Sequence, residues 1–538
     1  MSIQSAKTPF QKMSFTPDIP SGALGPNEYN LGLNVETDTR GIKKINGEED
    51  ILSLIPGDPI FVTSGFRVAQ EFWFIVANTA GNWYGINSSG IIDITPQAVS
   101  YIIDEYTHTT PITASWNGNV LFINDNINPP MYLLPNNTEI RLYDYGYIDQ
   151  LPNTYVWNYY ANQGWTNLTA GFMRVYSTPN IGSILVAGNL SYKIDDVAYN
   201  LPNTLRWSQA FGLNDGPTTW APTYTNTANE VDIPVRGPII DAFPLNGNFY
   251  IFSYWDCVIM TPITYTSSSA PVFGISLVTQ GRGMLNENCF VINDNVAFGL
   301  DSSDIWMLNN GAFSEIGNQR VKNWFYDNLH PDYTSQVFMV NNTRKNQVEI
   351  YFPDNSSVNG RCNKMLGYRY DLDCWNPPRE VFEAVQATEA PVYTAGTPNL
   401  ANRGVVYARS GTDTYLVQKD VGNGFFNGGP TESIYSYFRR DNINFGEPYS
   451  NKVQVHRVLP EVYGTGTFTV QVGGADSVGQ TPEFKTTATM YIATDNPWIQ
   501  TQQNTQRVSS VIAGTNDSTG TWIMSQANWQ ISIIEDDR

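Results

Sequence analysis

Charged side chains are scarce in this chain. Asp, Glu, Lys and Arg make up 15% of its 538 residues, against about 25% in an average soluble protein, so its surface must be built from uncharged Asn, Thr, Gln and Ser or be covered by partners. Basic residues are the scarcer sign, 30 against 50 acidic, for a net charge of −20. That deficit argues against a protein whose task is to grip nucleic acid, because affinity for phosphate comes from cationic side chains releasing counterions. It is compatible with a passage through which nucleic acid slips without sticking, although solubility is the simpler explanation of acidity. Four cysteines, Cys257, Cys289, Cys362 and Cys374, are too few for a disulfide scaffold and form no Cys-x-x-Cys pair, so buried free thiols are expected while a disulfide stays open. The three histidines, His108, His330 and His456, lie far apart without metal-ligand spacing, and no zinc site is expected.

Long hydrophobic runs are also missing. The longest, residues 72–77, is far short of the roughly 18 residues that would suggest a membrane-spanning helix. Residues 1–19 hold Lys7 and Lys12 but no apolar core, and Pro20, Gly22 and Gly25 after them point to an extended arm, so a soluble protein made in a cytoplasm is expected.

The usual catalytic anchors are absent as well. Gly274-Ile275-Ser276-Leu277-Val278 lacks the second glycine of a nucleophile elbow. Gly281-Arg282-Gly283 lacks the third glycine of a dinucleotide loop, and no phosphate-loop lysine motif occurs. Asp301 with Asp304, and Asp371 with Asp373, could be paired carboxylates but read first as turn caps. Asp125 and Asp294 sit between asparagines without the glycine and terminal glutamate of a calcium loop. No catalytic, cofactor-binding or metal-binding residue is expected, nor any cofactor, and lumen or gate residues cannot be picked from the sequence.

A repeating hairpin is what the sequence does contain. It begins as Phe72-Trp73-Phe74-Ile75-Val76-Ala77, a turn at Ala80-Gly81-Asn82, then Trp83-Tyr84-Gly85-Ile86. It returns around Asn117-Gly118-Asn119 and Asn246-Gly247-Asn248, and more loosely near Ile184, Phe290, Val337 and Val405. Asn and Gly accept the positive φ of a tight hairpin, and strands this short need neighbours. Radial stacking of such units predicts an all-β protein built on an irregular β-propeller of six or seven blades. The expected division is an N-terminal arm with one or more strands over 1–54 that join the platform, a propeller over 55–428, and a C-terminal β-sandwich platform over 429–538. In the last part Phe468-Thr469-Val470-Gln471-Val472 and Trp529-Gln530-Ile531-Ser532-Ile533 alternate with period two. The Tyr-, Asn- and Pro-rich stretch 129–177 reads either as an inserted docking element or as a long blade-connecting hairpin. One helix is expected over 319–329, with Val321, Trp324, Phe325 and Leu329 on one face before Pro331.

The order of elements over 184–375 resembles the tail nozzle proteins of short-tailed bacteriophages, also described as tail tubular or stabilisation proteins. The residues that carry it are Ile184 to Asn189, Leu205-Arg206-Trp207-Ser208, Pro217-Thr218-Thr219-Trp220, Asn226-Thr227-Ala228 and Gly237 to Leu245. They continue with Gln280-Gly281-Arg282-Gly283, Asp301 to Met307 before Asn310-Gly311, Arg320 to Phe325, and Gly367 to Asp371 ending in Cys374-Trp375. The resemblance implies a structural virion protein of the phage tail, assembled in the bacterial cytoplasm as a homohexameric ring. It implies attachment to the head–tail adaptor ring below the portal, docking of tail fibres or tailspikes, contact of tip loops with the host outer surface, and no membrane insertion. Double-stranded DNA would leave through the lumen without specific binding. The alternative is a carbohydrate-binding or carbohydrate-active propeller, suggested by Trp157 and Trp165 if these are exposed to stack on sugars.

Overall fold

Tight turns set the architecture. At Asn246-Gly247, Asn310-Gly311, Asp195-Asp196 and Ala395-Gly396 both residues hold positive φ, the twist that joins two short antiparallel strands without splaying them. The computed structural model describes the chain apart from residues 1–2, 53, 97–110, 136–139, 145–156, 159, 161–162, 264–272, 412–413, 427–431, 446–450, 478, 493–497, 502–507, 516–519 and 535–538.

Among the described residues these hairpins build five separate four-stranded antiparallel sheets, each crossed by the chain one strand at a time. The first comprises Pro59–Val68, Glu71–Asn78, Trp83–Asn87 and Gly90–Asp93, and the second Thr113–Asn117, Val120–Asn124, Met131–Leu133 and Tyr143–Asp144. The third comprises Thr166–Thr178, Gly182–Ile194, Val197–Trp207 and Asn229–Asp232. The fourth runs Ile239–Leu245, Asn248–Ser253, Asp256–Pro262 and Phe273–Gln280, and the fifth Phe290–Asn293, Val296–Leu300, Ile305–Asn309 and Ala312–Glu315. A seven-stranded sheet follows, ordered Phe338–Asn342, Gln347–Phe352, Cys362–Arg369, Cys374–Thr394, Thr397–Arg409, Leu416–Lys419 and Glu48–Ile51. Its long strand Cys374–Thr394 serves two halves, pairing with Cys362–Arg369 up to Ala384 and with Thr397–Arg409 from there on.

Apolar faces make these sheets pack in a cycle. Trp73 and Ile75 of the first meet Leu121 and Ile123 of the second; Phe122 of the second meets Met173 and Leu185 of the third; Phe172 and Val186 meet Ile239 and Ile251 of the fourth. Phe243 of the fourth stacks on Phe290 of the fifth, and Phe298 and Met339 join the fifth sheet to the seven-stranded one. Within the latter, Tyr351 of one half packs with Tyr407 of the other. Finally Val406 and Leu416 of its second half pack on Phe74 and Val76 of the first sheet. Each large apolar side chain so buried contributes about 1.5–3 kcal/mol, and the result is a β-propeller-like all-β fold in which each of the seven hairpin copies falls in a different sheet or half-sheet.

Two further sheets face each other beside this ring. One holds Ile499–Gln500, Lys452–Thr465, Thr521–Ile534, Gly41–Lys44 and Val35–Asp38, with Gln4–Pro9 also paired to Thr521–Ile534; the other holds Glu483–Tyr491, Thr467–Ala475, Val508–Thr515, Ser436–Ile443 and Leu31–Leu33. Period-two alternation points Phe468, Val470 and Val472 inward, where Trp522 of the opposite sheet lies edge-on to Phe468 and donates its indole N–H to Ser436 Oγ. The helix Lys322–Asn328 buries Phe325, with Val321 and Leu329 buried at its ends. Asp18 of the N-terminal arm accepts from the Asn323 and Trp324 amides at its start. All four cysteines are buried and free.

Four of the six strands described in the first 45 residues therefore pair into the C-terminal sheets, whereas Glu48–Ile51 crosses to the ring and pairs with Leu416–Lys419. The reason is an open edge: Leu416–Lys419 would otherwise present unpaired backbone groups. A buried ionic network locks this crossing. Lys419 reaches Glu349 at 2.6 Å with both side chains almost wholly buried, and Arg379 spans Glu48 at 2.9 Å and Asp420 at 2.8 Å. Lys345 joins Asp420 at 2.7 Å to Glu36 at 2.6 Å, and Lys43 adds a second contact to Glu36. Tyr407 and Tyr351 donate to Glu48 and Glu349, so the carboxylates are both paired and hydrogen-bonded, the condition under which buried charge is tolerated. Burial alone would raise the Asp420 carboxyl; Lys345, Lys419 and Arg379 outweigh it and hold the group well below the usual carboxylate range.

Removing one member leaves its partner charged and dry. Lys419→Met is expected to lower the unfolding free energy by about 3–5 kcal/mol, read from denaturant midpoints at constant slope. A loss below about 1 kcal/mol, the range of an exposed pair, would mean the network is solvated.

Candidate functional site

The innermost strands converge on a polar hub. Arg174, on the inner strand of the third sheet, grips Asp241 of the fourth through two bonds of 2.8 and 2.6 Å, the bidentate geometry that suits a guanidinium best. It also donates to Asn288 Oδ1 and to the Ala114 carbonyl of the second sheet. Asn288, in left-handed conformation at φ 65, donates its amide N–H to Asp241 and its side-chain N–H to the Ile112 carbonyl. Four sheets are thus tied by one ion pair and one asparagine.

Above the hub, on the face where the innermost strands begin, a cleft of about 680 Å³ opens, within the size range of small-molecule sites. Its walls include Asn126, Thr169, Asn189, Ser191, Trp255 and Glu287. Glu287 is the sole ionisable carboxyl among the described residues of that lining, and no lysine or arginine accompanies it. Burial, reinforced by the Asp241 charge and only partly offset by Arg174, raises its carboxyl to about 8. Near neutrality the walls therefore carry a protonated acid among amides and hydroxyls, which can donate and accept hydrogen bonds but offers no second carboxylate for two-carboxyl glycoside chemistry.

Trp255 is placed by a rigid turn. Ser253 Oγ accepts from the Trp255 and Asp256 amides, and the Gly281 amide donates to the Trp255 carbonyl at 2.7 Å. Gly283 runs so close beneath that a Cβ there would sit 2.0 Å from the Tyr254 oxygen. Gly281-Arg282-Gly283, which the sequence offered as an incomplete dinucleotide loop, is a buttress for this turn, with Arg282 ion-paired to Asp301 and Glu315.

The other candidates of the sequence are structural. Asp301 accepts from the Ser303 and Asp304 amides, and Asp304 accepts from Ile305 and faces Lys322. Asp371 pairs with Arg369 and Asp373 with Arg320. Asp125 caps the Ile127 and Asn128 amides, and Asp294 occupies a positive-φ turn position. Ser276 lies within the strand Phe273–Gln280. His330 accepts from the Asp332 amide and His456 contacts Ser532, while His108 lies outside the described residues. Among the described residues no group of three or more His, Cys, Asp or Glu is placed to hold a metal ion.

Two expectations about aromatics need correction. Trp157 is not exposed: it is 1% accessible, wedged edge-on against Trp220 and donating to the Leu168 carbonyl. Trp165 is half-buried and its ring is covered by Tyr192 at 3.6 Å. An Asn/Tyr-rich local sequence resembles a loop, but the third sheet lends these rings an apolar wall. Within the stretch 129–177, residues 136–139, 145–156, 159 and 161–162 fall outside the described residues; of the rest, Met131–Leu133 and Tyr143–Asp144 are outer strands of the second sheet and Thr166–Thr178 is the inner strand of the third. Sequence reasoning passed over Glu287, Arg174 and Trp255; a lone acid in Asn286-Glu287-Asn288-Cys289 ahead of a strand was the available signal.

Because the folded-state value of Glu287 lies above its ordinary 4.5, the folded protein holds a proton that the unfolded chain releases. Its contribution is fully present below about 4.5 and is lost as pH rises through about 8. Glu287→Gln is expected to flatten the fall of stability over that window and to exceed the parent in denaturant midpoint at pH 9; an unchanged pH profile would contradict the assignment.

No protein-family model and no curated protein sequence matches this chain. Solved structures with overall likeness include a glycoside hydrolase family 43 arabinoxylan arabinofuranohydrolase from Bacillus subtilis in complex with cellotetraose, at 11% identity over 93% of this chain and 94% of that one, TM-score 0.25. An exo-beta-1,3-galactanase from Phanerochaete chrysosporium with galactose matches at 8% identity over 90% and 100%, TM-score 0.25. BBS1N in complex with ARL6DN matches at 10% identity over 73% and 93%, TM-score 0.28. At such scores no residue of one chain can be placed on a residue of another, and no chemistry passes between them.

Proposed function

We propose that this chain is a subunit of the tail nozzle of a short-tailed bacteriophage, a structural conduit rather than a catalyst. In this reading the ring is a seven-bladed β-propeller, closed by Glu48–Ile51, and the two facing sheets are its β-sandwich platform. Six subunits encircle a lumen that retains and then passes double-stranded DNA, with the adaptor ring above and fibres or tailspikes docked outside.

The observation that carries the reading is where the residues of the resemblance lie. They bond at joints between elements: Arg282 to Asp301 and Lys322 to Asp304 within the set, and Arg320 to the adjoining Asp373. The Trp306 indole likewise donates to Gly283, and the Trp375 indole donates to Ile316 at the end of the fifth sheet. Residues that join one sheet to the next are what a load-bearing tube wall requires. Charge agrees with the role: duplex DNA carries one negative charge per ~1.7 Å of axis, and a lumen lined with the excess carboxylate of subunits of −20 each would repel it rather than hold it.

Purified chain mixed with its adaptor ring is expected to form sixfold particles with an axial hole in electron micrographs. Subunits that stay single under those conditions would contradict the proposal.

A further inference from the structure

The axial cleft plays no part in the nozzle reading, yet it has the chemistry of a binding site. Absence of lysine and arginine from its described walls leaves nothing to pair with a phosphate or carboxylate ligand. Its amides and hydroxyls suit a lipid tail poorly, since each would lose water without a replacement bond. What they do suit is a ligand dense in hydroxyl groups and free of formal charge. Trp255 adds the remaining element, an indole 51% exposed at the rim, with Tyr254 beside it at a ring separation of 6.2 Å. An aromatic face presented to water on a rigid turn gives a large contact area at little cost in conformational entropy. Two polar groups in the walls are also open to a ligand: among the described residues neither the Asn189 amide nor the Glu287 carboxyl is hydrogen-bonded to another side chain, the carboxyl bonding to its own backbone amide.

We propose that the axial cleft binds a neutral saccharide, with a pyranose ring stacked on Trp255 and its hydroxyls turned to the Asn189 amide and the Glu287 carboxyl. The buttress of Gly281 and Gly283 is then the device that holds the stacking surface in place. This site works in a single chain, so it stands or falls independently of hexamer formation.

The test is calorimetric titration of the full chain at pH 6.5 with lactose, maltotetraose and cellotetraose as neutral probes and 6′-sialyllactose as the acidic counterpart of lactose. Saturable binding of at least one neutral probe is expected, with the sialylated probe no tighter than lactose. Trp255→Ala should weaken the bound probe about tenfold or more and Trp255→Phe less, as expected for loss of a stacking face. Asn189→Ala should weaken it about fivefold, the range of one neutral hydrogen bond. Trp255 is half exposed, so its variants are expected to unfold at the parental midpoint, which separates lost binding from lost folding. No saturation by any probe up to about 20 mM would overturn the proposal. So would equal affinity in Trp255→Ala, or tighter binding of the acidic probe.

Discussion

The rest of this structure depends on a seam. Successive sheets can pack side by side indefinitely unless the last is brought back to the first, and here the return is made by Val406 and Leu416 against Phe74 and Val76, with Glu48–Ile51 as the final strand. That strand comes from the beginning of the chain, so the ring cannot be completed until its two ends in sequence have met. The ionic network around Arg379, Asp420 and Lys345 sits where they meet. Buried pairs are weak evidence for stability in themselves, since burying charge costs about as much as pairing returns. Their value here is register: a slip of Glu48–Ile51 by one residue would turn Glu48 away from Arg379 and Tyr407 and leave buried charges unpaired.

Seen from that seam, the ring and the facing sheets are one mechanical object. Glu36 lies on a strand of the facing sheets, Lys345 on a turn of the ring, and the two are bonded. Arg369 of the ring donates to the Thr37 carbonyl, and Asp18 anchors the start of the helix. A force on the facing sheets would reach the ring through short, hydrogen-bonded contacts rather than through a linker, as the proposed tube wall would require.

The hairpins were legible because their turns are local. Asn246-Gly247 and Asn310-Gly311 declare positive φ in the sequence itself, and Phe468, Val470 and Val472 declare their shared face by period two. Lys345 and Lys419 were not legible, since nothing in their neighbourhood distinguishes a lysine that will be buried against Glu349 or Asp420 from one on the surface. Trp157 misled for the related reason that its burial is supplied by Arg206 on the third sheet and by Trp220 in the connection to that sheet's last strand. Glu287 and Trp255 likewise become a site only when the fourth and fifth sheets are brought to one mouth. Local rules fix turns and faces; long-range pairing decides which polar groups are dry.

Closure of the ring by its N-terminal strand can be tested most directly by hydrogen exchange resolved to short peptides. The account predicts that amides of Glu48–Ile51 and Leu416–Lys419 exchange together, in the slowest class, and at the same denaturant dependence as the inner strand Pro59–Val68 of the first sheet. Exchange of Glu48–Ile51 at the rate of a frayed terminus, with Leu416–Lys419 protected only as an edge, would show an open ring and contradict it.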